Sequence, residues 1–352
     1  MYYMCQRMSD GSANSEGKVT VMSRMKPPEL ECIEDYRQRF VDAEYWRPYV
    51  AEVCGRHSLA MRKTLPEVGI PGTYPVFIID RRWIIKFFGR LFNGGDVFLA
   101  ELDAHTSALE AGDIPVPALI AHGMLFDGNA EWSWPYMVFE FLPGESLSKV
   151  RTRVSFTNMV VIARGLGQIV SRLHSLPVPN GNFLKPNWDG YSSLLDKTRI
   201  DCAQRHRQWG DLPGLMVSQI DKFIPPIEKL VPKADTPRFL HGDLTADHVL
   251  VENVGPDWRI RALIDFGDAM VGDPLFELIA LPLDLFQSDK ELLKVFVQTY
   301  QPPIHLDETR AQKLMCLCLL HPFNVFSGFF AKHPEAARLT SLADFAMWLW
   351  EI

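Results

Sequence analysis

Cysteine is scarce: the six in 352 residues, Cys5, Cys32, Cys54, Cys202, Cys316 and Cys318, are scattered and form no C-x-x-C pair. A zinc knuckle and a disulfide scaffold are both disfavoured, and a reducing cytoplasm fits this usage best. Positive charge is short as well, with 36 Lys and Arg against 43 Asp and Glu and a net charge of −7. No nucleic-acid partner is expected from that balance. Long apolar runs are missing. The most apolar late stretch, Leu314 to Phe330, is broken by His321, Pro322, Asn324, Ser327 and Gly328, short of the roughly 20 apolar residues a spanning helix needs, so no membrane partner is expected. Residues 1–26 lack the apolar core of a secretory signal and read as a disordered tail, with a start at Met22 or Met25. There is no internal repeat.

What is present suits a folded protein: 47% apolar residues, 22% charged residues and 22 Phe. At about 150 residues per domain, the length predicts two domains or one bilobal unit. Tyr74 to Ile79 and Trp83 to Phe88 read as a hairpin turning at Asp80–Arg82. A helix is expected from about Asp96 to Ala111, then an extended segment imposed by Pro115 and Pro117. Tyr136 to Leu142 reads as a strand stopped by Pro143-Gly144. The lobe boundary is placed there, giving one lobe over 27–142 and a second over 143–352. After it, Leu166, Ile169, Val170 and Leu173 have the spacing of an amphipathic helix ending before Pro177. Two short strands, Val249–Val251 and Ile260–Ile264, flank a turn, and the text from Leu275 onward reads as mostly helical. His105, His174 and His321 lie in apolar helical text and read as satisfied core residues.

The chemistry lies in Phe239-Leu-His-Gly-Asp-Leu-Thr-Ala-Asp-His-Val-Leu250 and Leu263-Ile-Asp-Phe-Gly-Asp-Ala269. Each presents a carboxylate, Asp243 or Asp265, beside an apolar strand, with Gly267 allowing a sharp turn. Phosphoryl transfer asks for such a pair, one carboxylate for the nucleophile's proton and one for a phosphate-bridging magnesium ion.

These motifs, followed by Gly272-Asp-Pro274, resemble the aminoglycoside phosphotransferase and choline kinase superfamily over roughly Leu65 to Leu281. The resemblance implies an α+β, protein-kinase-like bilobal fold, with a small β-rich N-lobe and a larger, mainly helical C-lobe. It implies Asp243 as catalytic base, His241 as support of the catalytic loop, Asp265 as magnesium ligand and Asp273 as a pin beneath that loop. It also asks for a strand lysine paired with a helix glutamate. Lys86 is the candidate on an apolar strand. Glu101 is the preferred partner because, at about 100° per residue, it lies on the stripe of Phe98, His105 and Ala108. Asp96, Asp103 and Glu110 fall on another face, read as solvated. Gly69 and Gly72 are candidates for a phosphate-covering turn. Phe139, Glu140 and Phe141 are candidates for an interlobe hinge that holds the nucleotide base.

One departure stands out: where the family has asparagine five residues after the catalytic aspartate, this chain has His248. Imidazole is a softer ligand than the amide oxygen magnesium prefers. Three alternatives stay open: His248 binds the metal weakly, Asp247 or water substitutes, or Asp265 anchors a single ion. The resemblance implies a small-molecule kinase using ATP or GTP and Mg2+, acting on the hydroxyl of an antibiotic such as an aminoglycoside. Choline, homoserine or sugar-like acceptors and a non-catalytic nucleotide-binding module are the alternatives. The segment Asn180 to Asp235 holds seven acids against eight bases, which gives no sign of an anionic acceptor pocket.

Overall fold

The computed structural model describes residues 25–28, 30, 32–70, 72–126, 128, 131–231 and 236–351. Of the tail expected over residues 1–26, all but Met25 and Lys26 lie outside them, as does Cys5. Met25 packs against the N-lobe core and Lys26 O accepts from the Tyr49 hydroxyl at 3.2 Å.

Five antiparallel strands form the N-lobe sheet: β1 (Glu67–Val68), β2 (Val76–Ile79), β3 (Trp83–Phe87), β4 (Leu119–Met124) and β5 (Pro135–Glu140), in the order β1-β2-β3-β5-β4. The β2–β3 hairpin turns through Asp80 and Arg81, with φ of 51° and 52°. Two central residues with positive φ match the twist of the flanking strands, and aspartate is among the side chains that tolerate this conformation. Two helices absent from the sequence reading precede the sheet, α1 (Ile33–Arg39) and α2 (Ala43–Arg56). Asp42 caps α2 by accepting from Tyr45 N at 3.0 Å, and Trp46, Tyr49, Val50 and Val53 form its buried stripe. Trp46 lies 4.9 Å from the Phe87 ring, so α2 covers the sheet face opposite Lys86.

Helix α3 (Gly94–Ala111) links the lobes. Its Phe98 belongs to the N-lobe core, whereas Ala104 and Ala108 belong to the C-lobe core. Beyond β5, β6 (Glu145–Ser146) and α4 (Leu147–Val150) open the C-lobe, followed by α5 (Phe156–Ser175). Helix α5 starts at the Ser155 cap and buries Leu166, Val170 and Leu173. A strand pair, β7 (Arg238–Leu240) with β10 (Met270–Gly272), brackets the hairpin of β8 (Val249–Val254) and β9 (Asp257–Leu263). Strands β8 and β9 run longer than the sequence suggested because the turn tightens to Gly255-Pro256. The remainder is mainly helical, including a π-helix over Leu281–Leu285. Among the described residues no helix is long and apolar enough to cross a membrane.

Candidate active site

A cleft of about 980 Å³ between the lobes is lined by Lys86, Glu101, Asp243, His248 and Asp265. Strand β3 carries Lys86 on the face away from Ile85 and Phe87, and α3 brings Glu101 across from it. Lys86 Nζ stands 2.7 Å from Glu101 Oε2 and 2.7 Å from Asp265 Oδ1. Burial opposes charge on Lys86, but the Asp265 and Glu101 carboxylates outweigh it and raise its pKa. Burial in turn raises the pKa of Glu101, with Lys86 acting against that shift. Asp265 is 39% exposed on the cleft floor. Desolvation there would raise its pKa, yet Lys86 and His248 hold it well below the usual carboxylate range.

The sharp turn in Ile264-Asp-Phe-Gly267 is made by Asp265 itself, with φ of 63°, and not by Gly267. Aspartate is among the non-glycine residues found most often in this region, so the turn needs no glycine at 265. The missing side chain of Gly267 gives room instead: a Cβ there would stand 2.9 Å from Val97 of α3.

The loop after β7 carries Asp243. Gly242 has φ of 84°, and a Cβ on it would fall 2.0 Å from Asp268 O, so no larger residue fits. His241 is fully buried, its Nε2 3.0 Å from Ile264 O, and burial pushes its pKa down to about 4. The carboxylate that grips this turn is Glu277, which accepts from His241 N at 2.7 Å and Gly242 N at 3.1 Å. Glu277 in turn meets His174 Nε2 at 3.3 Å, and His174 Nδ1 meets the Tyr300 hydroxyl at 2.8 Å. Sequence reasoning missed Glu277, although an acid inside Leu275-Phe-Glu-Leu-Ile279 signals a buried charge in need of partners. Asp273, expected beneath the loop, caps the next turn by accepting from Leu275 N at 2.9 Å. Its Oδ2 pairs with Lys313 Nζ at 2.5 Å, without hydrogen-bond geometry.

His248 spans the two acids. Nδ1 lies 2.8 Å from Asp243 O and 3.3 Å from Asp243 Oδ2, and Nε2 lies 3.6 Å from Asp265 Oδ2. Burial disfavours its charge, but Asp265 and Asp243 prevail and raise its pKa. Burial raises the pKa of Asp243, with His248 opposing. Asp247 accepts from the Ser148 hydroxyl.

Gly69, Gly72, Phe139, Glu140 and Phe141 also line the cleft. Gly69 and Gly72 lie in the turn between β1 and β2. A Cβ on Gly69 would stand 2.7 Å from the Val76 side chain, whereas one on Gly72 would meet nothing within 4 Å. Arg81 lies over the Phe141 ring at 5.5 Å. His105, His174 and His321 are buried with hydrogen-bond partners. Asp103, read as solvated, instead accepts from Asn182 N, Phe183 N and Leu184 N at 3.1, 2.7 and 3.0 Å.

Among the described residues no group of three or more His, Cys, Asp or Glu is arranged to hold a metal by itself. The oxygen donors of Asp265 nevertheless suit magnesium, which is commonly held by one or two carboxylates together with phosphates and water, whereas the imidazole of His248 suits it less well.

Comparison with known proteins agrees with this architecture. The GDP complex of aminoglycoside 2'-phosphotransferase-IIIa superimposes with a TM-score of 0.60 at 18% identity, covering 86% of this chain and 96% of that one. A microcompartment-associated aminopropanol kinase gives 0.54 at 15% identity, covering 83% and 95%. The Arabidopsis thaliana protein named lysine-specific demethylase JMJ21 is 25% identical over 271 residues, or 62% of this chain and 29% of the relative. The chain therefore spans less than a third of that relative's length. A sequence model of the phosphotransferase enzyme family matches residues 76–312, from β2 through both acidic motifs and Glu277. The chain belongs to the phosphotransferase enzyme family.

Proposed function

We propose that the chain transfers the γ-phosphoryl group of ATP or GTP to a hydroxyl of a small, amine-bearing molecule. The observation that supports this most is the meeting of Asp243 and Asp265, distant in sequence, in one cleft with the Lys86–Glu101 pair. Lys86 and the turn at Gly69 and Gly72 would hold the phosphates, and the hinge at Phe139, Glu140 and Phe141 the base. Asp265 would hold the magnesium ion, which supplies charge neutralisation on the phosphates. Asp243 orients the acceptor hydroxyl and takes its proton, while His241 and Glu277 keep the loop that carries it in place. Asp273 would support that loop at one remove, through the turn it caps. The five described cysteines are free, in keeping with a reducing cytoplasm.

The acceptor class follows from charge. None of the described residues between 180 and 235 lines the cleft, so their balance says nothing about it. Nine acidic side chains line it against three Lys or Arg. Such a lining favours a cationic acceptor, and both named structural neighbours act on amine-bearing alcohols. An aminoglycoside and a small amino alcohol are therefore the first acceptors to try.

His248 supports a second reading, a nucleotide-binding module without transfer activity, because it occupies the place of a magnesium-binding asparagine. Incubation with ATP or GTP, magnesium and a panel of aminoglycosides and amino alcohols, read by mass spectrometry, separates the two. Transfer predicts a phosphorylated acceptor whose formation drops about 10²- to 10⁴-fold in Asp243→Asn. Nucleotide binding with no product across the panel, and no change in Asp243→Asn, would favour the second reading.

A further inference from the structure

Helix α1, which precedes the residues matched by the family, reaches the wall of the cleft. Tyr36 is 2% exposed. Its hydroxyl donates to Thr73 O at 2.7 Å, and its ring lies 5.8 Å from that of Phe92. Thr73 and Phe92 both line the cleft, the first from the β1–β2 turn and the second from the entry to α3. They are tied again beside Tyr36, where the Tyr74 hydroxyl donates to Phe92 O at 2.6 Å. Phe92 and Asn93 have φ of 61° and 62°, a conformation that asparagine tolerates but that is costly for the bulky Phe92 and persists where the surroundings enforce it. Gly89 makes the approach feasible, since a Cβ there would stand 2.9 Å from a Tyr36 ring carbon. Helix α1 is fixed in turn by α2, whose Trp46 indole donates to Arg39 O at 2.9 Å.

We propose that Tyr36 is a positioning residue of the nucleotide site: from outside the family-matched segment, it fixes the β1–β2 turn against the entry to α3 and so sets affinity for the phosphoryl donor. This rests on the reading that the β1–β2 turn covers the nucleotide's phosphates. The hydroxyl fixes the height of Thr73, and the ring supports Phe92. Tyr36 is not among the residues that line the cleft, so its effect belongs to binding and not to the chemical step.

The test is Tyr36→Phe in the full chain, which removes the hydroxyl and keeps the ring. Fluorescent ADP and GDP analogues with magnesium should bind about three- to tenfold more weakly, the range expected for one lost hydrogen bond. The nucleotide KM should rise in parallel, with kcat at saturating nucleotide held within about twofold of the parent. Without nucleotide, backbone amides over residues 72–76 should exchange hydrogen faster in Tyr36→Phe. Equal affinity and equal exchange in the two proteins would overturn the inference while leaving the nucleotide reading intact. Failure of the unaltered chain to bind either analogue would overturn the nucleotide reading, and this inference with it.

Discussion

Lys86 is enclosed, with its side chain 7% exposed between Glu101 and Asp265. Breaking a buried pair on one side leaves a charge without a partner, at a cost of about 3–5 kcal/mol. In Lys86→Met both Glu101 and Asp265 lose that partner; Asp265 is 39% exposed and keeps His248 at 3.6 Å, so the unmatched buried charge is that of Glu101, whose pKa burial already raises. A carboxyl with a raised folded-state pKa binds more protons folded than unfolded. Stability is therefore fully present below the unfolded value of about 4.3 and is lost as the pH rises through the folded value. Loss of Lys86 raises the folded value further, so in urea unfolding the deficit of Lys86→Met against the unaltered chain should grow as the pH rises past about 7, the folded value of Glu101 in the unaltered chain, and a deficit independent of pH would contradict the assigned pairing. The sequence was informative at this scale where chemistry and periodicity coincide: Lys86 stands in an apolar strand, and Glu101 lies on the packed stripe of its helix. It was silent where partners come from afar. Asp103 sits on the outward face of α3, and nothing nearby announces the amides of residues 182–184 that it accepts from.

At the scale of elements, α3 is bound to both lobes. Its first half packs on the sheet, while Ala104, Ala108 and nearby Ile114 join the C-lobe core. Leu263 N also donates to Pro115 O at 2.8 Å, joining the helix exit to the strand that leads to Asp265. Glu101 is thereby tied to the C-lobe strand that leads to Asp265 as well as to the sheet. Asp103→Ala should destabilise the chain by about 1–2 kcal/mol, its three amide bonds being charge-assisted but partly exposed. Hydrogen exchange over 182–184 should accelerate, and unchanged protection there would show that the loop does not depend on Asp103. The β2–β3 hairpin and β5 were legible because alternation and breaker residues agree, whereas β1 and β4 of the same sheet were not. Helices α1 and α2 were not, since aromatic residues that favour strands, among them Trp46 and Tyr49, form the buried stripe of α2, and tertiary packing overrides that preference.

Across the whole molecule, two hydrophobic cores meet at a cleft whose ionisable lining comes from both sides: Lys86 from the sheet, Glu101 from the linking helix, and Asp243 and Asp265 from the C-lobe. The order of the acidic motifs announced this division. It could not announce Glu277 as the grip on the loop that carries Asp243, because that contact depends on how the turn after β10 folds back. The most direct test of the account is a crystal of the protein with magnesium and a non-hydrolysable ATP or GTP analogue. The account predicts the terminal phosphate between Asp243 and Asp265, with Lys86 on the inner phosphates. A nucleotide bound elsewhere, or one whose terminal phosphate points away from both aspartates, would contradict it.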